Sequence, residues 1–525
     1  MAMLVEELIQ SINELFLKAK KKKQPSVDPD LDPVLLVPGI GGSILNAVDE
    51  SGRAERVWVR ILGADYEFRT KLWSRFDPST GKTVSLDEKT RIVVPEDRYG
   101  LYAIDVLDPD MIIGQDGVSY YHDMIEEMIK WGFQEGETLF GFGYDFRQSN
   151  RLQETLDRFA SKLDAVYTST GGKKLIIISH SMGGLLVKCF MCLHSDIFEK
   201  YVKSWIAIAA PFQGAPGYIA TTLLNGVSFV EGWERNFFIS KWSMQQLLIE
   251  CPSIYELMAF PQFCWGNIPL LQLWREKHDN CGNSITLLES YEPKEAVSLM
   301  IEALSSNMVA LNGMQMPLPL NLEILKWANE TREILSHAKV PGAIKFYNIY
   351  GTDNATPHTV CYGSQESPIL DLKQLLSIQA KYICVNGDGT VPAESAKADG
   401  LDAVARVGVP ADHRGIISSR HVFRILKQWL NAGEPDPYYN PLNDYVIIPT
   451  AFELERHYEE WDVVSSNSSS SSKEVADYPL LVGALSISHD GKVQSQAEAE
   501  ATVVHPQSEG KQLVELRESY FGAPR

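Results

Sequence analysis

Long apolar runs are absent from this sequence of 525 residues. No stretch reaches the ~18 consecutive apolar residues that build a membrane-spanning helix. The N-terminus also lacks the uninterrupted apolar core of a secretory signal, because Glu6, Glu7 and Glu14 lie among its apolar residues. We therefore expect a soluble cytoplasmic protein.

Cysteine and positive charge are both scarce. The seven cysteines are too scattered for a disulfide-stapled scaffold, and the single Cys-x-x-Cys pair, Cys189 and Cys192, has no second pair at zinc spacing. The formal net charge of −20 argues against binding nucleic acid, because such a surface repels phosphates. The exception is the crowded run Lys18 and Lys20 to Lys23, behind an amphipathic stretch that either touches an anionic membrane or packs on its own domain.

The most informative stretch joins a short apolar strand to a helix. Leu175 to Ile178 is typical of a strand buried on both faces, and helical spacing begins at Leu185. The turn between them reads Ser-His-Ser-Met-Gly-Gly, a variant of the Gly-x-Ser-x-Gly nucleophile elbow with Ser179 in place of the first glycine. The turn predicts Ser181 as a nucleophile; the alternative is an ordinary loop whose serine caps the helix.

An earlier loop has the composition of an oxyanion hole. Pro33 to Leu45 reads as a buried strand that breaks into Pro-Gly-Ile-Gly-Gly, where glycines leave backbone N–H groups open to a ligand. In hydrolases such a loop gives one oxyanion donor and the residue after the nucleophile gives the other, which predicts Ile40 and Met182. A phosphate-binding P-loop is the competing interpretation, but the Gly-Lys-Ser/Thr ending is missing.

A serine nucleophile needs a histidine base and an acid, which follow it in this fold in the order acid, then histidine. Asp388 comes directly after the predicted strand Lys381 to Val385 and is flanked by glycines that permit a sharp turn. Asp353 is the rival acid, although its neighbours Asn354 and Pro357 favour a simple turn.

For the base, His413 lies in the loop that follows the predicted strand Ala403 to Val409. His421 is the reserve, because it falls within the next predicted helix and has less freedom to reach the strand ends. Either histidine has the alternative of being an ordinary surface residue. His180 comes too early in the chain order and is expected to pack at the elbow.

These motifs together resemble the lecithin:cholesterol acyltransferase family, in particular its intracellular plant branch of phospholipase A-like members. The motifs are Pro-Gly-Ile-Gly-Gly-Ser at 38–43, Tyr-Asp-Phe-Arg at 144–147, Ser-His-Ser-Met-Gly-Gly at 179–184, Ala-Pro-Phe-Gln-Gly at 210–214 and Gly-Asp-Gly-Thr-Val at 387–391. The resemblance implies an α/β-hydrolase fold with Ser181, Asp388 and His413 as the catalytic residues and Ile40 and Met182 as oxyanion donors. It also implies a lid at 58–76, where aromatic rings alternate with cations in a pattern that equally suits a packed core segment.

The predicted organisation follows the changes in pattern along the chain. We expect an amphipathic helix and lysine run over 1–30, an α/β-hydrolase core over 31–217 and 341–432, a helical cap insertion over 218–340, and a partly flexible tail over 433–525. Within the insertion, no strand pattern is expected before Ile344.

The predicted function is that of a serine-dependent phospholipase A-type acyl hydrolase acting at a phospholipid surface through an acyl-enzyme. The first alternative is an acyltransferase that moves the acyl chain to a sterol or another alcohol. The second, from another class, is a catalytically silent lipid-binding protein. A serine mechanism requires no metal or cofactor, so none is predicted.

Overall fold

The computed structural model describes residues 28, 30–60, 66, 70–87, 89–110, 118–226, 240–266, 268–278, 283–311, 314–435, 437 and 439–441. The predicted N-terminal helix, the lysine run and nearly all of the predicted tail lie outside these residues. In the described parts of the chain, no helix combines the length and apolar character needed to cross a bilayer.

The described residues form strands and α-helices with the following bounds. The strands are β1 Val34–Val37, β2 Leu45–Val48, β3 Ala54–Trp58, β4 Ser74–Asp77, β5 Lys82–Ser85, β6 Arg91–Val93, β7 Leu139–Gly141, β8 Leu175–His180, β9 Val202–Ile208, β10 Leu271–His278, β11 Ser284–Tyr291, β12 Met308–Leu311, β13 Met314–Pro317, β14 Lys345–Thr352, β15 Asn354–Tyr362, β16 Lys381–Gly387 and β17 Ala403–Pro410. The helices are α1 His122–Lys130, α2 Gln153–Ser169, α3 Gly183–Leu193, α4 Ser195–Tyr201, α5 Pro216–Asn225, α6 Lys241–Leu248, α7 Pro252–Glu256, α8 Pro293–Leu304, α9 Leu322–Ser336, α10 Ala393–Lys397 and α11 Arg420–Leu430.

A six-stranded sheet in the order β17-β14-β9-β8-β1-β7 forms the centre of the described fold. Every pairing in it is parallel. All residues of β1 and β8 are buried, as expected for inner strands covered on both faces. The central parallel sheet with flanking helices confirms the predicted α/β-hydrolase fold class.

Side-chain alternation along the inner strands divides the core between the two faces of this sheet. Leu35 and Ile177 point into one cluster, which also contains apolar residues of α2 and α3. Their chain neighbours Leu36 and Ile178 point into the other cluster, together with apolar residues of α1 and α11. Because successive residues of a strand face opposite sides, a continuous apolar run fills both clusters at once.

The segment predicted as a helical insertion contains four strands as well as helices, so the expectation of no strand before Ile344 is wrong. Strands β10 and β11 form an antiparallel pair, and β12 and β13 form a hairpin. A four-stranded sheet in the order β11-β10-β15-β16 joins this segment to strands that follow β14. The predicted strand Lys381 to Val385 therefore exists as β16, but it belongs to this second sheet.

Candidate active site

Ser181 lies at a tight turn between the end of β8 and the start of α3. Its φ angle is 54°, in the left-handed region that a non-glycine residue rarely adopts. A Cβ on Gly183 would lie 2.4 Å from the Pro38 carbonyl oxygen, and one on Gly184 would lie 2.5 Å from Ala210 Cβ. The start of α3 thus passes so close to the loops after β1 and β9 that both positions require glycine, as in a nucleophile elbow.

Ser179, which replaces the usual first glycine of the elbow, has a place in the core. Its side chain is buried, and its Oγ accepts a 2.8 Å hydrogen bond from the indole Nε1 of Trp205. A buried hydroxyl with a partner avoids the cost of an unsatisfied polar group. The variant elbow is therefore compatible with the fold.

A chain of hydrogen bonds joins the three predicted catalytic residues. Ser181 Oγ lies 2.9 Å from Nε2 of His413, and Nδ1 of His413 lies 2.7 Å from Oδ2 of Asp388. An ionised carboxylate can only accept, so His413 Nδ1 carries the proton and Nε2 is left to accept one from Ser181. All three residues are buried, with 5%, 8% and 1% of Ser181, His413 and Asp388 exposed.

Asp388 is fixed by the backbone around it. Its Oδ1 accepts hydrogen bonds from the N–H groups of Thr390, at 2.9 Å, and Val391, at 2.6 Å. Its own carbonyl oxygen accepts a 2.8 Å bond from the N–H of His413. The acid and the base are thus joined through both side chain and backbone.

The acid reaches the site from the second sheet. Asp388 follows β16, and an isolated bridge pairs it with Asn354 at the start of β15. A Cβ on Gly351, near the end of β14, would lie 2.4 Å from Asp388 Cβ. The absence of a side chain at Gly351 therefore lets the Asp388 turn approach the edge of the central sheet.

The rival residues lie elsewhere. Asp353 is exposed, and its backbone N–H donates a 2.7 Å hydrogen bond to Oδ1 of Asn386. His421 is exposed on the first turn of α11. The structure brings Asp388 and His413, rather than these two, to Ser181.

The predicted oxyanion loop lies against the nucleophile. A Cβ on Gly39 would lie 2.6 Å from Ser181 Cβ, so the backbone beside Ile40 runs directly past Ser181. Among the described residues, no protein group accepts a hydrogen bond from the N–H of Ile40 or of Met182. This hydrogen bonding is compatible with the prediction of Ile40 and Met182 as oxyanion donors.

The two ends of the predicted lid are packed onto the core. Trp58 is fully buried, and its indole Nε1 donates a 2.6 Å hydrogen bond to the carbonyl oxygen of Gly41 in the oxyanion loop. The buried Arg147, which forms an ion pair with Asp145, donates a 2.7 Å bond to the carbonyl oxygen of Leu72. The ends of this segment are held by packing and hydrogen bonds, while most of 61–69 lies outside the described residues.

Two residues at the site were not predicted as functional. The Tyr120 hydroxyl lies 2.6 Å from Nδ1 of His180 and accepts a 2.7 Å bond from the N–H of Gly39. His180 Nε2 lies 2.9 Å from the carbonyl oxygen of His413. The position of His180 next to Ser181 in the sequence could have indicated a role at the site. No feature of the sequence indicated Tyr120.

Asp388 and His413 lie at the edge of a cleft. A polar cleft of about 440 Å³ opens beside the triad, and its lining includes Tyr120, His180, Asp388, His413 and Arg414. Among the described residues, no group of three or more His, Cys, Asp or Glu side chains is arranged to hold a metal ion. The arrangement joins a hydroxyl, an imidazole and a carboxylate by hydrogen bonds beside backbone N–H groups without a protein acceptor among the described residues, and such a set of groups suits acyl transfer.

Comparison with known proteins gives one family. Residues 76–400 match the family model described as Lecithin:cholesterol acyltransferase. Lecithin-cholesterol acyltransferase-like 4 of Arabidopsis thaliana is 61% identical over 531 residues, covering 98% of each chain. Phospholipase A(1) LCAT3 of the same plant is 50% identical over 407 residues, covering 77% of this chain and 91% of its own. The bovine Lysosomal phospholipase A and acyltransferase is 27% identical over 141 residues, covering 26% of this chain and 33% of its own.

Proposed function

Because this chain belongs to the lecithin:cholesterol acyltransferase family, we propose that it is a serine-dependent phospholipase A-type acyl hydrolase. It releases fatty acid from a glycerophospholipid through an acyl-enzyme. The resemblance inferred from the motifs is confirmed by the family match and by the two plant relatives. The name of one of them, Phospholipase A(1), supports a phospholipid substrate.

One observation carries the catalytic proposal, namely the unbroken chain of hydrogen bonds from Asp388 through His413 to Ser181. The Ser181 hydroxyl gives its proton to His413 Nε2 while its oxygen bonds to the ester carbonyl carbon. The carbonyl oxygen becomes an oxyanion that the N–H groups of Ile40 and Met182 stabilise. Each such donor typically contributes ~3 kcal/mol to lowering the barrier.

Collapse of this intermediate breaks the ester bond. The proton held by His413 passes to the departing oxygen, and a lysophospholipid leaves with the acyl chain still on Ser181. Water then gives a proton to His413 and attacks the acyl carbon; the bond from that carbon to Ser181 Oγ breaks, His413 returns the proton to Oγ, and the fatty acid leaves. In support of water as the acceptor, His413 lines a polar cleft.

The competing acceptor is a sterol or another alcohol, which would use the same residues in an acyltransferase reaction. In either case, we propose that the protein works from the cytoplasm at the surface of a phospholipid membrane. Such contact is peripheral, since the substrate's ester bonds lie near the headgroup layer.

The test uses phosphatidylcholine vesicles labelled separately in each acyl chain, incubated with the full chain in the presence and absence of sterol. We expect labelled free fatty acid, and we expect Ser181→Ala to abolish its release and to block labelling by a fluorophosphonate. Ser179→Ala is the matched control, because it removes a buried hydroxyl two positions away without touching His413. Sterol ester as the main product would make the protein a transferase, and full activity in Ser181→Ala would overturn the mechanism.

A further inference from the structure

Tyr120 packs against both ends of the oxyanion loop. Its hydroxyl accepts the 2.7 Å hydrogen bond from the N–H of Gly39, and a Cβ on Gly42 would lie 2.5 Å from its ring atom Cε2. The two contacts bracket Ile40 and Gly41. The ring therefore supports the short loop whose Ile40 N–H must point at the oxyanion.

His180 links Tyr120 to the backbone of His413. Its Nε2 faces the carbonyl oxygen of His413 at 2.9 Å, and a carbonyl oxygen can only accept, so Nε2 carries the proton. Burial and the neighbouring His413 lower the pKa of His180 well below its ordinary value, which leaves the ring neutral. Nδ1 is then an acceptor, and the Tyr120 hydroxyl donates to it across 2.6 Å.

The polar contacts form one directed series. The N–H of Gly39 donates to the Tyr120 oxygen, the Tyr120 O–H donates to His180 Nδ1, and His180 Nε2–H donates to the His413 carbonyl oxygen. Along the series, each hydrogen bond uses a donor or acceptor atom that the previous hydrogen bond leaves unused. Burial raises the pKa of the Tyr120 hydroxyl, so its proton stays in place to make the middle bond.

We propose that Tyr120 and His180 form a positioning bridge that fixes the oxyanion loop relative to the backbone of the catalytic histidine. The inference rests on the proposed function, since it assigns the bridge to the same acyl transfer. Gly39 and His413 lie in loops far apart in sequence, and Ser181 sits between them. A bridge of three hydrogen bonds sets their separation before substrate arrives, which lowers the reorganisation needed in the transition state.

The test compares Tyr120→Phe with Tyr121→Phe. Tyr121 is the matched control, because it is buried next in sequence and its hydroxyl donates a 3.0 Å bond to the Val37 carbonyl oxygen, outside the bridge. We expect Tyr120→Phe to lower kcat on phospholipid roughly 10-fold or more with little change in KM, because a small misplacement of the oxyanion donors acts on the transition state. The same variant should slow fluorophosphonate labelling, whereas Tyr121→Phe should leave both rates near wild type.

A second pair of variants addresses His180. His180→Gln keeps one acceptor and one donor, whereas His180→Leu keeps neither, so the glutamine variant should retain more of the wild-type kcat. The fold-losses in kcat of Tyr120→Phe and His180→Leu should not multiply in the double variant, because both substitutions interrupt the same series of hydrogen bonds. Thermal unfolding of every variant separates loss of rate from loss of fold.

The outcomes separate the bridge from the function beneath it. A wild-type protein that fluorophosphonate does not label would overturn the serine mechanism and the bridge with it. A labelled wild type in which Tyr120→Phe reacts as fast as Tyr121→Phe would overturn the bridge alone. If Tyr120→Phe failed to fold, equal kcat values in His180→Gln and His180→Leu would overturn the bridge alone.

Discussion

The two oxygens of Asp388 have different partners. Oδ1 accepts from the N–H groups of Thr390 and Val391, while Oδ2 accepts from His413 Nδ1. In Asp388→Asn, the amide oxygen would keep the two backbone donors, and the new NH₂ group would face His413. Because an NH₂ group cannot accept, the imidazole would have to move its proton to Nε2, where it blocks proton transfer from Ser181.

We therefore predict that Asp388→Asn lowers kcat by a factor of about 10⁴, which is the typical effect of forcing the wrong tautomer in a catalytic triad. Thermal unfolding should change little, since the backbone hydrogen bonds to the side chain remain. Asp353→Asn provides the control, because Asp353 is exposed, and its kcat should match wild type. If Asp353→Asn lowered kcat and Asp388→Asn did not, Asp353 would be the catalytic acid in place of Asp388.

At this scale, the sequence was informative where a residue follows a strand directly. Ser181, Asp388 and His413 could be proposed because each comes after a predicted strand, and a loop there can reach the sheet edge. Tyr120 could not, because its partners Gly39 and His180 lie 81 and 60 positions away along the chain. Only the folded sheet, which sets β1 beside β8, brings those partners together.

At the scale of elements, the contact between α3 and the loop after β9 admits no added atom. A Cβ on Gly184 would lie 2.5 Å from Ala210 Cβ and 3.8 Å from Ser179 Oγ. Real Cβ atoms do not approach at the shorter distance, so the helix or the loop must shift if a methyl group is added. The strain falls on the elements that carry Ser181 at the elbow.

We predict that Gly184→Ala lowers the free energy of unfolding by about 1–3 kcal/mol, as is usual when extra atoms enter a packed core. The clash involves a single methyl group, so Gly184→Ala combined with Ala210→Gly should recover much of the loss. Urea unfolding of both single variants and the double variant measures this. If the losses in free energy of unfolding of the two single variants added in the double variant, α3 would not be strained against Ala210.

The residue pattern of a segment indicates a strand but does not indicate which strand it pairs with. The pattern at Lys381 to Val385 marks an extended segment, and β16 is there. Pattern does not state a strand's partner, and β16 pairs antiparallel with β15 rather than with the central sheet. The alternation in β10 and β11 was missed because polar residues fill much of both strands, so no apolar run indicates them.

For the whole molecule, the net charge bears on the proposed contact with a phospholipid surface. Lysine and arginine number 48 against 68 aspartates and glutamates, which gives the net charge of −20. An anionic bilayer repels such a molecule, and the repulsion acts over about a Debye length, ~10 Å at 0.1 M salt. The lysine run at Lys20 to Lys23 acts in the opposite direction, because basic residues near a surface attract anionic lipid.

We predict that the overall charge dominates. At low salt, hydrolysis of zwitterionic phosphatidylcholine vesicles should exceed that of vesicles containing a fraction of phosphatidylglycerol by several-fold, and the difference should narrow as salt screens the repulsion. Turnover of a water-soluble ester measures the effect of salt on the active site itself and serves as the control. If the anionic vesicles were the better substrate, and replacing Lys20 to Lys23 by glutamine removed that preference, the lysine run would govern membrane contact and the prediction would fail.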